Sequence, residues 1–364
     1  MKQYEINITD HFVSDLHKLS LCKIPENIAH QASKCLIDYI GASYAGSHIA
    51  KTRISKLSQE LGCGLGALPV IGTEIKTNLI SSALLNGIIS HTAELDDGVI
   101  SGIVHPGSPI FSALLPYAIH NKIDGINFIK GIIIAYEACV RLSEAIQPSH
   151  KLLGYHATST CGSIGAAIGA VIMKNGKKSD IKNALSAAVI TSGGTLKALQ
   201  DKSDLKSYNA GNAAVLAINA ASLANAGFSG PDNVLDSNFG FFDMFSDTFD
   251  INKLFSAKRS VKYAITKVYF KPYAACRYCH APIDAAKKIL ETHSIDFKDI
   301  ERIEIKTYDL AVKGHDHKEA TSVSSAKMSI PFSISQLFVC GDLGPLGFTK
   351  EHLQNSQIIK LSRL

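Results

Sequence analysis

From Pro25 to Ala45 the apolar residues Ile28, Ala32, Cys35, Leu36, Tyr39 and Ile40 recur at a period near 3.6, so this stretch predicts a helix with one buried face. Pro25 suits its first turn, where a missing N–H costs nothing. The same spacing predicts helices over Asn78–Glu94, Pro109–His120, Asn127–Ile146, Ser159–Met173, Asp180–Thr191 and Asn209–Asn225. Several are dense in alanine and glycine ("GSIGAAIGAVIM", "GNAAVLAINAASLANAG"), which lets helix axes approach closely. Near residue 260 the pattern changes. "VKYAITKVYF" and "IERIEIKTYD" alternate apolar and polar at period two and predict strands, with a helix over Ala281–Glu291 between them and another over Ser325–Cys340. The expected fold is mainly α: a large all-helical domain over residues 1–260, then a smaller α+β domain over 261–364.

Composition narrows the function. The chain has 364 residues, 46% hydrophobic and 19% charged, enough to bury two cores. Its formal charge of +5 comes from 37 Lys and Arg against 32 Asp and Glu, scattered without a basic arm, which argues against a nucleic-acid partner. No apolar run approaches the roughly 18 residues of a membrane span, and residues 1–20 lack the pattern of an export signal, so a cytoplasmic, non-membrane protein is expected. Most of the eight cysteines sit in apolar helical patterns, where a thiol packs as a small hydrophobe.

Four polar clusters interrupt the apolar pattern. "HTAELDDGVISGIVHPGSP" (91–109) crowds Glu94, Asp96 and Asp97 at a predicted helix C-terminus, where carboxylates oppose the helix dipole, and sets His105 in a Gly- and Pro-punctuated loop. A carboxylate near an imidazole fixes its tautomer, as general acid–base chemistry requires. "GYHATSTCGSIGAA" puts His156 just ahead of a helix start whose free N–H groups can receive an anion; a plain cap beside a satisfied histidine fits this segment equally well. Lys197, Lys202 and Lys206 precede another small-residue helix, and a single lysine is more often surface than site. "KPYAACRYCHAPIDAA" gathers Lys271, Arg277 and His280 where the second domain begins.

Within that last string, Cys276, Cys279 and His280 spell a c-type haem attachment motif and half a zinc ribbon. Zinc needs four ligands; only His315 and His317 are at hand, in a loop-like stretch, and haem attachment belongs to exported chains. No metal and no cofactor are expected. Nucleotide-binding glycine loops and a GxSxG elbow are missing as well.

The strings "ELDDG…HPG", "GYHATSTCGSIGAA", "DLKSYNAGNAA…LANAGFSGP" and "KPYAACRYCHAPIDA", in this order across most of residues 20–345, resemble the MmgE/PrpD family. The resemblance implies a helical domain with an α+β lid, a homodimer that needs no cofactor, and a small di- or tricarboxylate as substrate. Its chemistry would be elimination, decarboxylation or epimerisation at carbon next to a carboxylate. Carried over by motif, the catalytic residues would be Asp96, Asp97, His105, His156 and Lys206, with Lys271, Arg277 and His280 binding substrate. The resemblance favours a lyase, with an isomerase as the closest rival and an inactive binding or dimerisation module as a third reading. "GVISGIV" lacks the aspartate- and tryptophan-rich stretch of the family's 2-methylcitrate dehydratases, and relatives continue beyond "IIKLSRL" with further lid elements.

Overall fold

The computed structural model describes residues 7–199, 203–255 and 263–364; Lys202, Val261 and Lys262 of the expectations above lie outside them. Two compact units form: Met1–Thr92, Asp96–Lys197 and Lys206–Phe270 make the first, and Ala93–Leu95, Ala198–Leu205 and Lys271–Leu364 the second.

The first unit is helical, as its periodicity requires. Helix α1 (Ile8–Leu21) is capped by Asn7, whose side chain accepts from the Asp10 N–H, and buries Ile8, Phe12, Val13 and Leu16. Sequence patterning missed it because charged residues break up the apolar stripe. Helix α2 (Glu26–Ile49) follows Pro25, and α3 (Lys51–Glu60) leads to a two-residue hairpin, β1 (Leu68–Pro69) with β2 (Lys76–Thr77). Next come α4 (Leu79–Thr92), α5 (Gly107–Asn121), α6 (Gly125–Ile146) and the short α7 (Ser149–Leu152). Helices α8 (Ala157–Met173), α9 (Lys178–Thr191), α10 (Lys206–Asn225) and the short α11 (Phe241–Phe245) complete the unit.

Every residue of α8 is buried, so α8 is the central rod, packed by α5, α6, α9 and α10. A helix apolar on all sides has no face to offer water and must lie inside. Helix α10 also packs along α4, where a Cβ on Gly87 would stand 2.5 Å from the Gly211 Cα, so the two backbones touch. On α6 the fully buried Arg141 donates to Glu137 at 2.8 Å, to Asp15 at 2.5 Å and to the Leu254 carbonyl at 3.2 Å, pairing the charge that burial would otherwise penalise.

In the second unit, α12 (Arg277–Thr292) buries Cys279, Ile283 and Ala286 at helical spacing. The short α13 (Asp309–Val312) and α14 (Val323–Met328) precede α15 (Ile330–Cys340), which packs on α12 and on α17 (Ser356–Ser362), with α16 (Lys350–Gln354) between them. Ser329 caps α15, and Gly341, in the left-handed conformation (φ 72°), ends it.

The two predicted strands are not paired as such. In the first, residues 264–267 make a 3₁₀ turn; only Tyr269 forms a bridge, to Gly98. The cause is Glu137: its buried carboxylate takes the Ala264 N–H and curls the chain, burying Tyr263, Ala264 and Ile265 in the first unit. In the second, residues 301–308 run without a ladder partner among the described residues. Alternation decides which side chains share a face; it does not supply a neighbouring strand. Ile303 packs on the core, Tyr308 is exposed, and a groove of about 450 Å³ runs beside Ala281, Ala285, Ile289 and Phe338.

Candidate functional site

The first unit gathers three histidines. Helix α4 delivers His91, 1% exposed, just before its end. Glu94 takes a positive φ of 57°, rare for a residue with a side chain, and the chain reverses. That reversal brings Asp96 back to His91: Asp96 Oδ2 accepts from His91 Nδ1 at 2.6 Å and from the Ser108 hydroxyl at 2.9 Å. Both members of the His91–Asp96 pair are buried.

Asp97 holds the next loop. One carboxylate oxygen accepts the Gly107 N–H at 2.8 Å, the first amide of α5, and the other accepts the Tyr136 hydroxyl at 2.7 Å. A Cβ on Gly107 would lie 2.8 Å from that first oxygen and would evict it, so this position requires glycine. The Asp97 carbonyl accepts from His105 Nδ1 at 2.6 Å, and the His105 amide donates to the Thr158 hydroxyl at 3.1 Å, tying the loop to α8. Since a carbonyl can only accept, His105 carries a proton on Nδ1.

His156 caps α8 with its backbone, and its side chain takes no part in the cap. Asn209 on α10 places Nδ2 3.2 Å from the Thr195 carbonyl and 3.1 Å from His156 Nδ1. The carbonyl fixes the amide, so Asn209 donates to Nδ1 and the neutral His156 ring carries its proton on Nε2. His105 Nδ1 is thus a donor and His156 Nδ1 an acceptor. The His91 ring stands beside both, its centroid 5.5 Å from that of His105 and 5.7 Å from that of His156. Lys206 opens α10, half-buried, one turn before Asn209.

A fourth histidine plays a structural part. His150 donates from Nδ1 to the Phe245 carbonyl at 2.8 Å and meets the Thr160 hydroxyl through Nε2 at 2.9 Å. Burial pushes its pKa down to about 4, so it is neutral and saturated.

The second unit holds its own charged group. The Lys271 side chain is fully buried and reaches Glu94 at 3.4 Å; Lys327, 2% exposed, donates to the Ala93 carbonyl at 2.9 Å. Arg277 begins α12, half-buried. His280 is buried, donates from Nε2 to the Ala275 carbonyl at 3.1 Å, and has its pKa pushed down to about 4 by burial. It is a neutral ring at physiological pH and not a fixed cation. Burial drives the Cys279 thiol well above its usual range, while His315 and His317 bind the Met328 and Ser325 carbonyls. Among the described residues no group of three or more His, Cys, Asp or Glu is arranged to hold a metal ion.

Sequence reasoning missed His91, Asn209, Tyr136 and Lys327. The i to i+5 link from His91 to Asp96 depends on the left-handed turn at Glu94, which no periodicity announces. Lys327 had a signal, a lone cation in the helical pattern over Ser325–Cys340.

Residues 10–254 match the MmgE/PrpD N-terminal domain and residues 273–363 the MmgE/PrpD C-terminal domain, so the chain belongs to the MmgE/PrpD family. It is 25% identical over 299 residues to the cis-aconitate decarboxylase-like protein oryM of Aspergillus oryzae, covering 78% of this chain and 62% of that protein. To the cis-aconitate decarboxylase of Homo sapiens it is 25% identical over 247 residues, covering 65% and 50%. To that of Aspergillus terreus it is 24% identical over 279 residues, covering 73% and 56%. The chain thus spans roughly half to three-fifths of these curated relatives. No described helix is long and apolar enough to cross a membrane.

Proposed function

We propose that the protein is a lyase that removes a group from carbon next to a carboxylate of a di- or tricarboxylate, with decarboxylation as the first candidate. The carrying observation is that two neighbouring imidazoles are fixed in opposite senses: His105 donates from Nδ1, and His156 accepts at Nδ1 and so keeps an N–H at Nε2. In a decarboxylation the carbon–carboxylate bond breaks, CO₂ leaves, and the electron pair spreads onto the remaining unsaturated carboxylate. Negative charge growing on that oxygen is met by a fixed N–H donor, the part assigned to His156. The dienolate then takes a proton on carbon from Nε2 of His105 in its imidazolium form, which is left neutral and is reprotonated by solvent. The relatives' printed activity, cis-aconitate decarboxylation, supports this order of candidates. Lys206, Lys271 and Arg277 are assigned to carboxylate binding as part of the same reading, and a cytoplasmic homodimer is expected with it.

An epimerase is the second reading, favoured by two imidazoles able to take a proton at one face and return it at another. Incubation with cis-aconitate in D₂O, followed by NMR, separates them: decarboxylation gives a product one carboxylate shorter that carries one solvent deuterium on carbon. Wash-in without net conversion, tested with iminodisuccinate, supports epimerisation. His105→Ala should lower turnover by about 10²–10⁴-fold. Unchanged turnover refutes the assignment, and failure of citrate, 2-methylcitrate, cis-aconitate and iminodisuccinate to raise the melting temperature supports a non-catalytic binding module.

A further inference from the structure

Cys276 and Cys279 belong to a motif that neither a metal nor the substrate has claimed. Cys276 is the N-cap of α12, with extended backbone (φ −56°, ψ 141°), and its side chain makes no capping hydrogen bond. Serine, threonine, aspartate or asparagine would cap the helix better, so the helix by itself gives no reason for a thiol there. Cys279 stands at N3, and its amide donates to the Cys276 carbonyl at 2.9 Å. An N-cap side chain folds back over N3, which is how a capping serine reaches the N3 amide, so the two thiols face each other across one helical turn. Burial first, then the neighbouring Cys276, push the Cys279 thiol well above its usual range, as two sulfurs at close quarters require. Cys276 is half-buried and Cys279 fully buried. A bond between them would close a loop of only four residues, which constrains the unfolded chain little; it would add reversible chemistry rather than stability.

We propose that Cys276 and Cys279 form a redox-active dithiol in the second unit, oxidised to an intramolecular disulfide by a low-molecular-weight disulfide such as glutathione disulfide. Cys276, the accessible member, loses its proton and attacks one sulfur of glutathione disulfide; that S–S bond breaks, and one glutathione leaves and takes up a proton. Cys279 then loses its proton, attacks the Cys276 sulfur of the mixed disulfide, and expels the second glutathione as a thiol. Two thiols become one disulfide and one glutathione disulfide becomes two glutathiones, so atoms and electrons balance. The order of attack follows from burial, since an external disulfide cannot reach Cys279 first. Oxidation also removes the Cys279 S–H, which points to the Lys327 carbonyl at 4.0 Å; the same carbonyl accepts the Cys276 N–H at 2.8 Å. The joint between the start of α12 and the end of α14 therefore registers the change. This chemistry is independent of the lyase reading.

The test is a peptide map of the intact, folded protein after incubation with glutathione disulfide, alkylation of the remaining thiols and digestion with trypsin. Trypsin cuts after Arg277, between the two cysteines. In the oxidised protein the peptide ending at Arg277 and the one beginning at Tyr278 should stay joined, and should separate when dithiothreitol is added. Cys279→Ser should stop at a mixed disulfide, with glutathione held on Cys276. Cys276→Ser should leave Cys279 an unmodified thiol while the exposed Cys22 and Cys340 still react. Separate peptides with both cysteines alkylated, either cysteine joined to a different one, or glutathione on Cys279 in Cys276→Ser overturns the proposal. Should the variants fail to fold, the wild-type map alone decides.

Discussion

Tyr136→Phe deletes one oxygen atom and should be felt in both stability and activity. The tyrosine is fully buried on α6, and its hydroxyl donates to Asp97 at 2.7 Å. Burial first, then the Asp97 charge, push its pKa well above the usual tyrosine range, so it remains a donor at every working pH. A hydrogen bond to a charged acceptor contributes about 1.5–3 kcal/mol, and the variant opens no cavity larger than an oxygen. The expected loss is therefore about 2 kcal/mol. The chain has no tryptophan, so urea unfolding followed by far-UV circular dichroism is the natural assay. Gly107→Ala attacks the same carboxylate from the other side, because its Cβ would sit 2.8 Å from the oxygen that Gly107 now binds. The two changes should be non-additive by about 0.5–3 kcal/mol. A loss under about 0.5 kcal/mol for Tyr136→Phe, together with strict additivity, would show that this carboxylate does not hold the His105 loop.

Two further outcomes follow from the other histidines. His150 is neutral when folded, with a pKa near 4, but near 6.5 when unfolded, so its stabilisation is present above pH 6.5 and is lost as pH falls towards 4. The full span corresponds to about 3 kcal/mol, and His150→Gln should flatten that part of the melting-temperature profile between pH 7 and 4.5; an unchanged slope refutes it. Asn209→Asp replaces the donor to His156 Nδ1 with an acceptor, which forces the opposite tautomer and should lower kcat by at least tenfold, more than Asn209→Ala does. Equal effects of the two variants would mean that the tautomer is irrelevant.

The helical first unit was legible because its apolar stripes are long and its small residues dense; α8 and α10 need nothing beyond their own composition. The strands failed for a physical reason: residues 301–308 alternate correctly yet meet no ladder partner among the described residues, and in the segment ending at Phe270 the Ala264 N–H is taken by Glu137, more than a hundred residues away in sequence. His105 and His156 were visible as histidines at loop and helix starts. The roles of their Nδ1 atoms were not, because these depend on a carbonyl at Asp97 and on the Asn209 amide, which no side-chain motif records. His91 looked like the polar end of an apolar helix until the turn at Glu94 brought Asp96 onto it.

The contact between Gly87 and Gly211 sets a mechanical tolerance. Helix α4 carries His91, and α10 carries the amide that holds His156. With no side chain at the crossing, the two rods have nothing compressible between them. Any added methyl group there becomes a wedge between the rod that bears His91 and the rod that bears Asn209, so their separation is gauged by atoms that are missing.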